Sequence, residues 1–154
     1  MTKRLLPEDK KLHIYIDTNV LWNYCKGQAN ETACLNLLFK KRKEILFTSS
    51  FAIGQTMAGI QNSKKKKGLS ITDTIEKGTY LCSKITVLSF TENDIWESFN
   101  ANGDDVEDSM HFAISQKRKC NVVITNDLNG YKKFDIIAVT PDNTNYLKSL
   151  LKIK

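Results

Sequence analysis

Four aspartates occupy positions from which carboxylates can converge. Asp17 closes the run Leu12-His13-Ile14-Tyr15-Ile16. Asp127 stands two residues beyond Asn121-Val122-Val123-Ile124-Thr125, and Asp105 and Asp108 follow the break at Asn102-Gly103-Asp104. Unpaired carboxylates packed together repel, and a proton or a cation relieves the repulsion. Mg2+ and Mn2+ are hard cations that prefer such oxygen donors. Bridging a phosphate, they polarise it, turn water into hydroxide and stabilise the leaving oxygen. Each acid also has a plainer role. Asp17 and Asp127 suit helix caps, and Asp105 and Asp108 suit a helix start, where the dipole favours negative charge. Joint placement on one rim is what tips the balance to a metal site.

That placement depends on the elements between them. Residues 12–17 alternate and read as a strand ending in an acid. Residues 20–25 read as a short helix. Residues 32–43 carry Leu35, Leu38 and Phe39 on one helical face. A short strand is expected over 45–48, then a helix over 51–61 capped by Ser49 or Ser50. A capped helix follows near 71–83, a strand over 85–89, and a helix over 91–100 with Thr91 as its cap. Residues 106–119 form a helix with Val106, Met110, Ala113 and Ile114 as the apolar stripe. Strands at 121–125 and 135–139 and a helix at 146–151 complete the chain. Strands separated by helices imply a parallel sheet with helices on its faces, and sites in such sheets form outside the carboxyl ends of strands. Asp17 and Asp127 share that rim. The helix from 106 runs directly into the strand at 121, so its start, with Asp105 and Asp108 three residues apart on one face, returns to the same edge.

The rest of the chain narrows the function classes. With 154 residues it has one domain's worth of sequence, enough for a core without disulfides. Lys and Arg number 23 against 17 Asp and Glu, a net charge of +6; this allows a polyanionic partner and equally describes a Lys-rich solvated surface. The run Lys64, Lys65, Lys66 and Lys67 grips phosphates on one reading and is a solvated turn on the other. Cys25, Cys34, Cys82 and Cys120 lack zinc spacing and sit in apolar stretches, so they are expected to be reduced and structural. Residues 1–11 hold no apolar segment, which argues against a signal peptide or a membrane span and gives a cytoplasmic expectation with no membrane partner. No Gly-rich phosphate loop is present, which argues against nucleotide-dependent chemistry. His13 and His111 as a metal-free acid–base pair is the weaker alternative, with His111 expected half-buried or on the surface. Ile95, Trp96 and Phe99 read as a core stripe.

Three segments carry a family resemblance. Ile16-Asp17-Thr18-Asn19-Val20-Leu21 resembles the opening motif of PIN domains. Asp105-Val106-Glu107-Asp108-Ser109-Met110-His111-Phe112-Ala113 resembles their central motif, and Val123-Ile124-Thr125-Asn126-Asp127 their last. Their order and spacing fit over roughly residues 12–140. The resemblance implies a three-layer α/β fold, with a central, mostly parallel sheet of four to five strands and helices on both faces, as a single domain over 1–154. It implies a Mg2+- or Mn2+-dependent endoribonuclease of the VapC toxin type, held by an antitoxin protein, with a homodimer as its assembly. Asp17, Asp108 and Asp127 would ligate metal, and Asp105 would be a ligand or a base behind the ligands. Asn19 and Thr125 would orient the carboxylates or the attacking water. Water would attack in line and leave a 5′-phosphate on the downstream fragment. One departure stands out: the family's usual Glu in the helix after the second strand is here Gln55, whose amide oxygen can coordinate but brings no charge. Glu107 might compensate, although on an ideal helix it points away from the Asp108 face. The alternative reading is therefore a catalytically weak or inactive member that binds RNA or protein.

Overall fold

Successive side chains of a strand point to opposite faces, so a strand apolar at every position needs cover on both sides. Ile14–Ile16 (β1) is such a strand, buried throughout. In the computed structural model, which describes residues 11–41, 43–63 and 68–152, β1 leads straight into Thr18–Cys25 (α1) and then Ala29–Phe39 (α2). A 3-10 turn at Lys43–Ile45 precedes Leu46–Ser49 (β2), again buried from end to end. Ser50–Gln61 (α3), Ile71–Lys84 (α4), Thr86–Leu88 (β3), Glu92–Asn100 (α5) and Val106–Gln116 (α6) follow. The chain then forms Val122–Ile124 (β4), the short Leu128–Tyr131 (α7), Ile137–Val139 (β5) and Thr144–Leu150 (α8).

The five strands make one fully parallel sheet in the order β3-β2-β1-β4-β5. This is the three-layer arrangement expected. The alternation of β1 divides the core: Ile14 and Ile16 join Leu21, Leu35, Leu38 and Leu81 on one face, while Tyr15 joins Phe47, Ile114, Val123 and Tyr131 on the other. The chain winds outward from β1 to β3 and returns to lay β4 beside β1, with Ile14 opposite Val122 and Ile16 opposite Ile124. The strand order therefore reverses between β1 and β4, the place where open α/β sheets leave a crevice at the carboxyl edge.

Helix starts are fixed by short polar side chains, as Ser/Thr/Asp/Asn caps should be. Asp17 accepts from Thr18 N, Ser49 from Ala52 N, Ser70 from Asp73 N, and Thr91 with Asp94 forms a capping box on α5. The α7 turn was not anticipated; a segment of four residues is too short to show a period.

Several expectations are corrected. The buried side of α6 carries Ser109, His111, Ile114 and Ser115, while Val106 is 56% exposed. The helix turns a polar face inward because that face carries its side chains toward Asp17. Trp96 and Phe99 are 58% and 57% exposed and pack edge-to-face on each other at 5.7 Å. The buried positions of α5 are instead Asp94 and Ser98, and Asp94 binds Lys117 of the segment after α6 at 2.6 Å. Cys82 is exposed, while Cys25, Cys34 and Cys120 are buried and all four are free thiols. The basic run at 64–67, Arg42 and residues 1–10 lie outside the described residues. Among those described, no helix is long and apolar enough to cross a membrane.

Leu35 of α2 is fully buried in the larger core cluster. Leu35→Ala is expected to cost about 2–5 kcal/mol, read as a lower urea midpoint with an unchanged slope.

Candidate active site

At the carboxyl end of β1, Asp17 is 3% exposed. A carboxylate so far from water needs hydrogen bonds to remain charged. Its Oδ1 accepts from Thr18 N at 2.7 Å. Its Oδ2 accepts from Thr125 Oγ1 at 2.8 Å and from Asn19 Nδ2 at 3.1 Å. Asn19 and Thr125 thus orient one ligand candidate from both sides of the β1–β4 crevice, and Asn19 Nδ2 also reaches Thr125 Oγ1 at 3.2 Å.

The other acids sit at helix starts facing the same edge. Asp105 caps α6 through Oδ1, which accepts from Glu107 N at 2.8 Å and Asp108 N at 3.1 Å. Asp127 caps α7 through Oδ1, which accepts from Gly130 N at 3.1 Å, and its own amide is held by Thr125 Oγ1 at 3.0 Å. The plain capping roles are real, yet each of these caps uses one oxygen of a carboxylate that has two.

Asp108 shows that the acids form one electrostatic group. Burial pushes its pKa up to about 7, reinforced by the charges of Asp17, Asp105, Asp127 and Glu107. Among the described residues, no side chain or backbone donor binds its carboxylate. Its Oδ2 lies against Gly130, where a Cβ would come within 1.8 Å of it. Gly130 is thus required by close approach rather than by backbone twist. Beside them the Tyr131 hydroxyl is buried without a hydrogen bond among the described residues, and burial, then the charges of Asp17, Tyr15 and Asp108, raise its pKa well above the ordinary value.

Gln55 of α3 is placed one layer behind. Its Oε1 accepts from Thr18 Oγ1 at 2.7 Å, so the amide supports the residue after Asp17. His111 is fully buried, contrary to expectation, with Nε2 3.5 Å from Asp17 Oδ1. Burial holds its pKa below the usual value, with Asp17, Glu107 and Asp105 opposing. His13 lies at the other end of β1 with its Nδ1 2.6 Å from Arg118 O, so the two histidines form no acid–base pair. Glu107 does not point away: its Oε1 is 3.9 Å from His111 Nε2.

Sequence reasoning therefore missed Gly130 and Tyr131 and the buried place of His111. For His111 a signal existed, since it follows Asp108 by three positions and shares its helical face. For Gly130 and Tyr131 none did, because α7 was not foreseen.

Among the described residues, no three acidic, His or Cys side chains already stand in a ligating arrangement. The donor set nonetheless fits a hard divalent cation. It is made of carboxylate oxygens, one of them pushed up to about 7 by burial and the neighbouring acids, beside a hydroxyl that is buried without a hydrogen bond among the described residues.

Comparison with known proteins gives a consistent fold. A family model described as PIN domain matches residues 14–137. No curated protein matches the chain. Among solved structures, DNA-bound VapBC from Salmonella typhimurium is similar with a TM-score of 0.66 and 16% identity, covering 85% of this chain and 99% of that one. A toxin–antitoxin complex from Klebsiella pneumoniae has a TM-score of 0.60 at 16% identity, covering 83% and 97%. The Sarcin–Ricin loop cleaving toxin VapC20 of Mycobacterium tuberculosis has a TM-score of 0.59 at 14% identity, covering 80% and 98%.

The folded protein holds the Asp108 proton to a higher pH than the unfolded chain, whose Asp titrates near ~3.9. Stability should therefore fall as pH rises from about 4 to about 7. Asp108→Asn removes this penalty. Because Asp108 is half-exposed and screened by water, the expected gain at pH 8 is about 2–4 °C in Tm, the shift that ~1 kcal/mol makes in a chain of this size. The two proteins should nearly converge at pH 4. Thermal melts in chelator at both pH values check this, and a destabilised variant at pH 8 would contradict it.

Proposed function

We propose that this chain, which belongs to the PIN domain family, is a Mg2+- or Mn2+-dependent endoribonuclease that hydrolyses RNA phosphodiester bonds. The observation that carries the reading is that Asp108, pushed up to about 7 first by burial, also feels the charges of Asp17, Asp105 and Asp127 at the same edge. Asp17, Asp108 and Asp127 would hold the cation. When bound, it would polarise the phosphate and supply hydroxide from water at neutral pH. Asn19 and Thr125 hold the Asp17 carboxylate in one orientation. Asp105 fixes the start of α6 and so the position of Asp108. The net charge of +6 favours a polyanionic substrate, with the lysines at 64–67 as candidate phosphate contacts. The likeness to toxin–antitoxin structures supports a toxin role with an antitoxin protein as partner.

A second reading is favoured by Gln55, which spends its amide oxygen on Thr18 and supplies no charge. On that reading the chain binds RNA or a protein and cuts weakly or not at all.

Cleavage of single-stranded RNA is expected with Mn2+ or Mg2+, to disappear in chelator, and to fall by about 100-fold or more in Asp108→Asn, since loss of even a partner behind a ligand costs 10–100-fold. Activity that survives both treatments refutes the metal-dependent nuclease. Gln55→Glu separates the two readings: robust turnover by the parent protein eliminates the second, whereas a gain of about 10-fold or more in Mn2+ affinity and turnover on substitution establishes it.

A further inference from the structure

His111 has no exposed surface, yet polar atoms surround both ring nitrogens. Nδ1 lies 2.8 Å from Tyr15 Oη. Nε2 lies 3.2 Å from Thr18 Oγ1, 3.5 Å from Asp17 Oδ1 and 3.9 Å from Glu107 Oε1. Phe51 packs against the ring at 5.2 Å and Tyr15 at 5.8 Å, fixing its plane. A neutral imidazole has one N–H and one acceptor nitrogen. A lone pair on Nε2 would face two carboxylates and repel both. The Thr18 hydroxyl, moreover, donates its proton to Gln55 Oε1 at 2.7 Å and leaves its oxygen to accept. Both facts put the ring proton on Nε2. Nδ1 then accepts from Tyr15. Ser49 Oγ lies 2.9 Å from Tyr15 Oη and accepts from Ala52 N at 2.9 Å, which ties Tyr15 to the start of α3.

We infer that His111 is a positioning residue for Asp17: its Nε2–H, oriented by Tyr15, holds Asp17 Oδ1 at a fixed separation from Asp108. Asp17 belongs to β1 and Asp108 to α6. Thr18 and Asn19 belong to the same stretch of chain as Asp17, and Thr125 follows β4, so none of these contacts sets the distance between β1 and α6. His111 does, because it sits three residues beyond Asp108 on that helix. The role presupposes the metal-binding reading above, in which both carboxylates grip one cation. Second-layer partners of this kind are worth 10–100-fold in metal affinity.

The test is a Mn2+ titration, read by electron paramagnetic resonance without RNA, of the parent protein, His111→Leu, His111→Gln and Tyr15→Phe. Leucine keeps the volume and removes the donor, and should weaken Mn2+ binding by about 10–100-fold. The glutamine amide nitrogen reaches where Nε2 does and should recover most of the loss. Tyr15→Phe keeps the ring packing and should weaken binding in the same direction as leucine. Parent-like affinity in the leucine variant overturns the role, and so does equal loss in leucine and glutamine. If the variants fail to fold, 15N NMR of the metal-free parent decides. A proton on Nε2 and none on Nδ1 is the expected result; a proton on Nδ1 overturns it. A parent protein that binds no Mn2+ refutes the metal reading and this role with it, whereas parent binding with no effect of His111 removes this role alone.

Discussion

A charged carboxylate cannot be taken out of water cheaply, and Asp17 is almost entirely out of water. Among the described residues no Lys or Arg pairs with it, and its donors are a backbone amide, a threonine and an asparagine. Neutral donors stabilise the charge without cancelling it. Asp108, whose carboxylate accepts no hydrogen bond among the described residues, is pushed up to about 7 by its burial and then by the charges of Asp17, Asp105, Asp127 and Glu107.

The framework around the acids is built the same way, from amides rather than ions. Asn19 Oδ1 receives the Asn126 amide at 3.0 Å, and Asn126 Nδ2 reaches Glu31 Oε1 at 2.9 Å. Asn23 Nδ2 reaches the same oxygen at 3.0 Å. Glu31 is buried on α2, where burial alone would raise its pKa, but the two amide donors win and lower it. The loop that presents Asp127 is thereby tied to two helices beyond the crevice. Each such bond is worth about 1 kcal/mol; their joint effect is to remove alternative loop positions.

Much of this was legible in the sequence, for identifiable reasons. The apolar runs at 14–16, 46–49 and 122–124 announce strands covered on both faces, and alternation with helices leaves few topologies besides a parallel sheet. Asp17, Asp105, Asp108 and Asp127 stand at strand ends or helix starts, positions that backbone direction alone sends to one edge. What could not be read was rotation about a helix axis. The α6 stripe was assigned to Val106 and Met110 because hydrophobicity usually marks the inward face, but this helix buries His111 and Ser115 to serve Asp17. On α5 the inward face is likewise Asp94 and Ser98, leaving Trp96 and Phe99 outside. Gly130 and Tyr131 belong to a turn too short to show any period.

The parallel sheet has a temporal consequence as well as a geometric one. The Thr125 hydroxyl that steadies Asp17 lies 108 positions later in the chain. The strand beside β1 on that side, β4, is likewise made only after β2 and β3. Until the ribosome has released that stretch, β1 has no neighbour on the β4 side and the acids have no common edge. A growing chain therefore carries Asp17 without the pocket, and the centre comes into being only once the stretch holding Thr125 and Asp127 has been made.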